Sequence, residues 1–401
     1  MELASPFTPW MPVPVEFFVG RIPEIERLRG IIRDSIRRRI KVGFVTGERG
    51  IGKSSLVSFV RHLTEREDEV LGCHVLLGEI SNLSEMTVKT FEHLLRESEQ
   101  KPWYGNLIKL FGTHVKKIGL FGISLELDLS KDERIDLTRN FISHLRNILS
   151  KVPERKTILL ILDDINGLAS SMEFANWLKS IVDEIAVSSQ SLSLCIIIVG
   201  LEERRQQLLA LQPSLARIFE LIEIKPWSDD ECVEFFKKSF ASVSGEIDEL
   251  DLELMVEFSE GFPVLAHEIG DAVWRQASSL KISSGDVGRG IFAAAQIVGR
   301  KFLQPQVFQE LHSQRYRSIL RKVSQPKGTD LSRFTRADLR RLLNSEEIRV
   351  MDNFLRKMKE LGVLLSDSEA GKGAYRFTRR LYRLYFSMEA KTARRKEKPQ
   401  E

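Results

Sequence analysis

Apolar residues along the chain gather into short runs separated by stretches of helical periodicity. Residues 41–45 (KVGFV), 158–162 (ILLIL) and 192–199 (LSLCIIIV) are almost free of polar positions, and 219–224 (FELIEI) is a further candidate strand. Runs of this length and continuity read as parallel strands buried on both faces. Residues 53–63 (KSSLVSFVRHL) space their apolar positions as a helix does. Residues 228–240 open with Ser228 and three acids, a well-signed helix start. Strands alternating with helices predict an α/β fold built on a parallel sheet. An insert interrupts the alternation. Its residues 123–129 alternate apolar and polar with period two, behind glycines at 119 and 122, and predict a hairpin or edge strand. The preceding 101–115 (KPWYGNLIKLFGTHV) is aromatic and basic. It reads as a helix packing Trp103 and Phe111 inward, with a contact surface, even one for DNA, as the alternative.

The 401 residues are too many for one ordinary core and imply two or three domains. Three widely spaced cysteines (Cys73, Cys195, Cys232) exclude a disulfide framework and a cysteine-rich metal site, and fit a reducing compartment. The longest apolar run is half of what a membrane span needs, and the N-terminus lacks a signal-peptide layout. A cytoplasmic location and no membrane partner are therefore expected. Net charge is +4, but it is unevenly shared. Residues 301–401 carry 24 Lys and Arg against 12 Asp and Glu, whereas the first 300 carry 36 against 44. A mildly acidic body with a strongly basic last quarter calls for an anionic partner or an internal one.

Candidate chemistry centres on residues 47–55, GERGIGKSS. Gly47, Glu48, Arg49, Gly50, Ile51, Gly52, Lys53 and Ser54 satisfy G-x-x-x-x-G-K-[ST], with a strand entering the glycines and a helix leaving them. Glycines let successive N–H groups point at a β-phosphate, and the helix N-terminus adds its positive end. Lys53 would reach the β- and γ-phosphates, Ser54 would hold Mg²⁺, and Ser55 completes the loop. Mg²⁺ also needs an acid at a neighbouring strand tip. Residues 157–166 (TILLILDDIN) supply Asp163 as metal-side ligand, mostly through water, and Asp164 to polarise an attacking water. Two acids after a strand can also be a helix cap, but their pairing with the loop favours the chemistry. The cofactors expected are ATP and Mg²⁺.

These motifs resemble the AAA+ and STAND branch of P-loop ATPases, which includes archaeal origin-recognition initiators and helper ATPases of transposition. The segment FFVGRIPEIERL (17–28) looks like the family's adenine-side element, and the resemblance implies nucleotide contacts for Val19, Gly20 and Arg21. KPWSDDE (225–231) matches the join from sheet to helical lid, and Gly261-Phe262-Pro263 looks like the lid's GxP element, with Pro263 beside the nucleotide. Arg217, just before the last strand, stands where relatives keep an arginine that reaches a neighbouring subunit's ATP. A surface arginine capping a helix end is the equal alternative, and Arg204 and Arg205 are weaker candidates. Departures are visible too. Ile22 replaces a usual Glu, Gly200 a usual polar sensor, and Asp164 a usual Glu, while the lid offers no arginine aimed at the phosphates. Slow hydrolysis is the expectation.

In the basic quarter, 314–323 and 336–343 read as short helices, and Ser345 as the cap of a longer one through Leu361. Residues 363–365 and 374–377 read as strands around a turn, 379–388 as a last helix, and the tail from Lys391 as disordered. That order resembles a winged helix. Arg349, Arg356, Lys357 and Lys359 would then face a major groove, with Lys372 at the wing tip and Arg376, Arg379, Arg380 and Arg383 behind. The organisation expected is an ATPase domain at 1–225 including the 101–130 insert, a helical lid at 226–300 and a basic winged helix at 301–401. The function expected is nucleotide-controlled self-assembly and binding of duplex DNA through 301–401. The alternative is a signalling or defence switch whose winged helix docks on protein.

Overall fold

The structure is a computed structural model and describes residues 4–11, 18–37, 40–99, 101–118, 124–188, 192–308, 313–325 and 333–397. Phe17, Gly119 and Gly122 lie outside the described residues. The chain divides into two compact units, Pro12–Lys225 and Met1–Met11 with Pro226–Glu401.

In the first unit the elements run α1 (Ile22–Ile36), β1 (Lys41–Thr46), α2 (Lys53–Glu67), β2 (Val70–Leu76), α3 (Leu83–Glu97), α4 (Tyr104–Phe111), β3 (Val115–Ile118), β4 (Ser124–Leu127), α5 (Lys131–Arg139) and α6 (Phe141–Ser150). Then follow β5 (Thr157–Asp163), α7 (Met172–Val187), β6 (Leu194–Val199), α8 (Glu202–Leu211) and β7 (Phe219–Glu223). Five strands form one parallel sheet in the order β2-β5-β6-β1-β7. Every residue of β5 and β6 is buried, as their unbroken apolar sequences demand. The sheet has one more strand than the sequence pattern predicts. β2 (VLGCHVL) escaped because Gly72 and His74 break its apolar run. β3 and β4 pair as the antiparallel hairpin expected of the insert. Trp103 and Phe111 are buried in the core, Phe111 with its ring centroid 5.7 Å from that of Phe91. That is the inward packing, not the contact surface.

The second unit runs α9 (Asp229–Ala241), β8 (Glu246–Ile247), α10 (Glu249–Ser259), α11 (Pro263–Gln276), β9 (Lys281–Ile282), α12 (Ser284–Val298), a π-helical stretch Gly299–Phe308 and α13 (Gln314–Ser324). It continues with β10 (Arg333–Thr335), α14 (Arg336–Leu342), α15 (Ser345–Ile348), α16 (Met351–Glu360), β11 (Leu364–Ser366), β12 (Ala374–Phe377) and α17 (Arg380–Glu397). Ser228 caps α9 in a reciprocal capping box with Glu231. The last three strands form an antiparallel sheet ordered β10-β12-β11.

Two expectations here need correction. The long helix expected from Ser345 to Leu361 is two helices, and its cap is Asn344, whose side chain accepts from Glu347 N at 2.9 Å while Glu347 accepts from Asn344 N at 2.9 Å. Glu347 also accepts from Ser318 and Lys322 of α13, at 2.7 and 2.6 Å, which fastens α15 to that helix before α16 begins. The basic tail expected to be disordered is helical through Glu397, because strong helix formers continue α17 and no breaker precedes Pro399.

The N-terminal residues belong to this unit for a packing reason. Phe7 is buried among Phe235, Phe236 and Phe240, and lies so close to Gly270 that any Cβ there would meet its ring at 2.4 Å. Beside it, Thr8 N donates to His267 Nδ1 at 3.0 Å, which requires a neutral imidazole. Burial pushes the His267 pKa down to about 4. The unfolded chain takes up that proton near pH 6.5, so the native state is favoured above that pH and loses stability as pH falls from 6.5 towards 4. Urea unfolding should therefore show wild type losing about 2 kcal/mol more than His267→Gln between pH 7 and 5. Parallel stability–pH curves for the two proteins would show that His267 is not buried neutral.

Candidate functional site

Sheet register builds the site. Val45 of β1 pairs with Val199 of β6, and Val199 pairs with Asp163 of β5, so the three stand in one row. Two strand spacings put Asp163 roughly 10 Å from Val45, and the loop 47–52 starts two residues past that row. The backbone closes the same edge. Gly200 N donates to Val45 O at 3.1 Å, Asp164 N to Val199 O at 3.1 Å, and Ile224 N to Thr46 O at 2.8 Å.

The loop's shape depends on its glycines. Gly47, Gly50 and Gly52 have φ of 152°, 77° and 93°, and Gly52 leads directly into α2. A Cβ on Gly47 would meet Ile224 O at 2.8 Å. The cradle thus closes only with glycine there, and it ends on a helix N-terminus suited to an anion. Lys53 Nζ donates to Gly47 O at 2.7 Å and to Glu48 O at 2.9 Å, folding back across the loop. Burial lowers the Lys53 pKa, and the nearby charges of Asp163 and Asp164 pull it back up. A half-buried cation facing two carboxylates across a glycine cradle is a fitting place for a metal-bound polyphosphate. Glu48, Arg49 and Gly50 are exposed, Ile51 is buried, and Ser54 and Ser55 are half-buried on the first turn of α2.

The acids differ from each other. Asp163 is buried and its Oδ2 lies 2.9 Å from His74 Nε2. Asp164 is exposed, with a left-handed φ of 60° rare for a residue with a side chain. Its Oδ1 accepts from Asn166 Nδ2, and Asn166 Oδ1 accepts from Arg204 Nε at 3.1 Å. On the other side stands Gly78, where a Cβ would come within 2.9 Å of Asp164 Oδ2. The helix-cap alternative does not hold, since α7 is capped by Ser171.

Of the remaining predicted residues, Val19 is buried and Gly20 and Arg21 have φ of 67° and 66°, turning the chain into α1. The buried Arg21 guanidinium donates to Ile51 O at 3.2 Å and to Lys225 O, so it braces the phosphate loop's own backbone. Arg217 is exposed just before β7 and makes no hydrogen bond or ion pair among the described residues. Arg205 is paired with Glu202 at 2.5 Å. Pro263 opens α11 in the second unit, after Gly261 at φ 72°. His74, Gly78 and Asn166 were not identified from sequence. Asn166, two residues past Asp164, had a positional signal, whereas His74 had none because β2 was not recognised.

A parallel sheet with a glycine-rich loop between β1 and α2, and acids at the tip of a neighbouring strand, is the P-loop NTPase fold. Residues 18–209 match the model of the AAA ATPase domain family, so this stretch is similar to that domain. Similar solved structures include the ORC2 protein of Aeropyrum pernix with ADPNP and ADP (14% identity, 94% of this chain and 96% of that one, TM-score 0.58). Another is a Walker-type ATPase of Pyrococcus abyssi (17%, 92% and 96%, TM-score 0.55). No curated protein matches the sequence. Among the described residues no group of three His, Cys, Asp or Glu could hold a metal by themselves, and all three cysteines are buried thiols. No described helix is long and apolar enough to cross a membrane.

Lys53→Ala should lower ATP affinity at least a hundredfold, about 3 kcal/mol, in a calorimetric titration. Its melting temperature without nucleotide should stay near that of the parent. Unchanged affinity would remove the loop from the site.

Proposed function

We propose that the chain binds Mg-ATP on residues 47–55 and hydrolyses it slowly, and that nucleotide state governs what the basic last quarter touches. The observation that carries this reading is the sheet register that sets Asp163 in one row with Val45, two residues before the glycine loop across which Lys53 folds. Mg²⁺ supplies charge neutralisation on the phosphates when bound. Ser54 would hold it directly and Asp163 through water, Lys53 would turn from the Gly47 and Glu48 carbonyls to the phosphates, and Asp164 would polarise a water. Slowness follows from Asp164 being shorter than Glu and already engaged by Asn166. Gly200 offers no side chain to sense a γ-phosphate. Arg217, exposed before β7, is proposed to act on the nucleotide of a second copy. ORC2, of similar fold, was solved with nucleotides, which supports a nucleotide site here without assigning it.

Residues 313–397, with helices α13, α14 and α16 and the sheet β10-β12-β11, are read as a winged helix. Its partner is the open choice, and a specific observation favours protein docking. The Arg379 guanidinium lies 3.6 Å over the Phe262 ring, Arg380 N donates to Glu260 Oε2 at 2.9 Å, and Arg380 pairs with Glu257. The winged helix thereby grips the Gly261-Phe262-Pro263 turn that the lid reading makes nucleotide-sensitive. The exposed face of α16 is also mixed, because Asp352 and Glu360 accompany Arg356 and Lys359. The switch is therefore the preferred reading, with DNA loading the rival. Cytoplasmic work and self-assembly belong to both.

Asp164→Asn should keep ATP affinity within a few-fold and lose hydrolysis by two orders of magnitude or more, as removal of a catalytic group does. Arg217→Ala should be inactive alone and regain turnover when mixed with Asp164→Asn; without that rescue, Arg217 is structural. Filter binding of duplex DNA at 50 and 200 mM salt should detect no tight complex for the switch. Nanomolar binding that weakens steeply with salt would establish the DNA reading instead.

A further inference from the structure

We propose that His74 is a positioning residue for Asp163: it fixes one carboxylate oxygen so that the other is held towards the water through which Asp163 would hold Mg²⁺. The inference rests on the metal-side role given to Asp163 above. β2 and β5 are parallel, with His74 opposite Ile161 and Leu76 opposite Asp163. Side chains two apart on a strand share a face, so His74 and Asp163 are diagonal neighbours on one side of the sheet. The imidazole spans that diagonal, and Nε2 lies 2.9 Å from Asp163 Oδ2. Both side chains are largely withdrawn from solvent, with 12% and 3% exposed.

The chemistry of the pair is directional. An ionised carboxylate only accepts, so Nε2 carries the proton and donates. Without this donor the Asp163 carboxylate has a soft terminal torsion, since rotation about an sp³–sp² bond is broad. Mg²⁺ demands near-ideal octahedral geometry for its waters as for its other ligands, so a carboxylate that wanders would lose the water it is to hold. Outer-shell partners of metal ligands are typically worth about 10–100-fold in metal affinity or activity. His74 occupies that outer position. Being on the strand beside β5 rather than in the loop, it is positioned by sheet register and not by the nucleotide.

The test compares wild type with His74→Leu, His74→Gln and His74→Asn. ATP hydrolysis is measured against free Mg²⁺, and ATP binding in EDTA is measured separately. His74→Leu should raise the Mg²⁺ concentration for half-maximal rate about 10–100-fold while leaving metal-free ATP affinity unchanged. Glutamine, whose amide N–H reaches the Nε2 position, should restore the requirement to within about threefold, and the shorter asparagine should not. A merely structural residue would lower melting temperature without this split in the metal requirement. If the leucine variant does not fold, glutamine against asparagine reads the same quantity. A Mg²⁺ requirement within twofold of wild type in both glutamine and asparagine variants overturns the proposal. Should wild type itself fail to bind Mg-ATP, the reading of the site falls first, and the EDTA and Mg²⁺ arms of the wild-type titration tell the two failures apart.

Discussion

Val45, Val199 and Asp163 stand side by side across three hydrogen-bonded strands, and the rest of the candidate site takes its place from that row. β6, buried at every residue, fixes how far β1 and β5 lie apart and how they are staggered. A slip of one residue would turn Asp163 to the opposite face and carry it away from the loop. The same registry, extended one strand to β2, brings His74 to the carboxylate. Arg21 then ties the loop at Ile51 to the chain at Lys225. Apolar packing of the sheet interior therefore sets the geometry of a polar site at its edge.

A second constraint acts on the acid beside it. Asp164 sits in a left-handed conformation, hydrogen-bonded to Asn166 and backed by Gly78. Through Asn166 it is linked to Arg204 on α8. In the role proposed for it, an acid so engaged would have to exchange partners before acting on water, in keeping with the slow turnover proposed above. The basic charge of the last quarter is similarly committed in part. Lys322 pairs with Glu347, Arg333 with Asp367, Arg349 with Glu346 and Arg380 with Glu257. The exposed pairs among these are each worth about 0–1 kcal/mol, so a stronger anionic partner can displace them.

Much of this architecture was legible in the sequence wherever one signal dominated. The unbroken runs of β5 and β6, the glycine spacing of the loop and the acids following Ser228 each specify a single local structure. Legibility failed where two signals competed. β2 mixes Gly72 and His74 into an apolar run, and its identity depends on pairing with β5. Ser345 and Asn344 are both good caps, and the choice fell to Asn344 because Glu347 is held by Ser318 and Lys322 of another helix. The terminal basic run reads as disorder by charge but as helix by propensity, and α17 follows propensity. In the site, Lys53, Asp163 and Asp164 came from motif spacing, while His74 and Asn166 required the tertiary structure.

One loop and one strand tip are proposed to share a metal-bound triphosphate. Anomalous scattering from crystals grown with ADPNP and Mn²⁺ would locate both. A single strong manganese peak is expected beside Ser54 Oγ, at roughly 2.1 Å as for Mg²⁺ and one water from Asp163, with the phosphates wrapped by residues 47–54. A manganese peak elsewhere, or phosphates bound away from that loop, would contradict it.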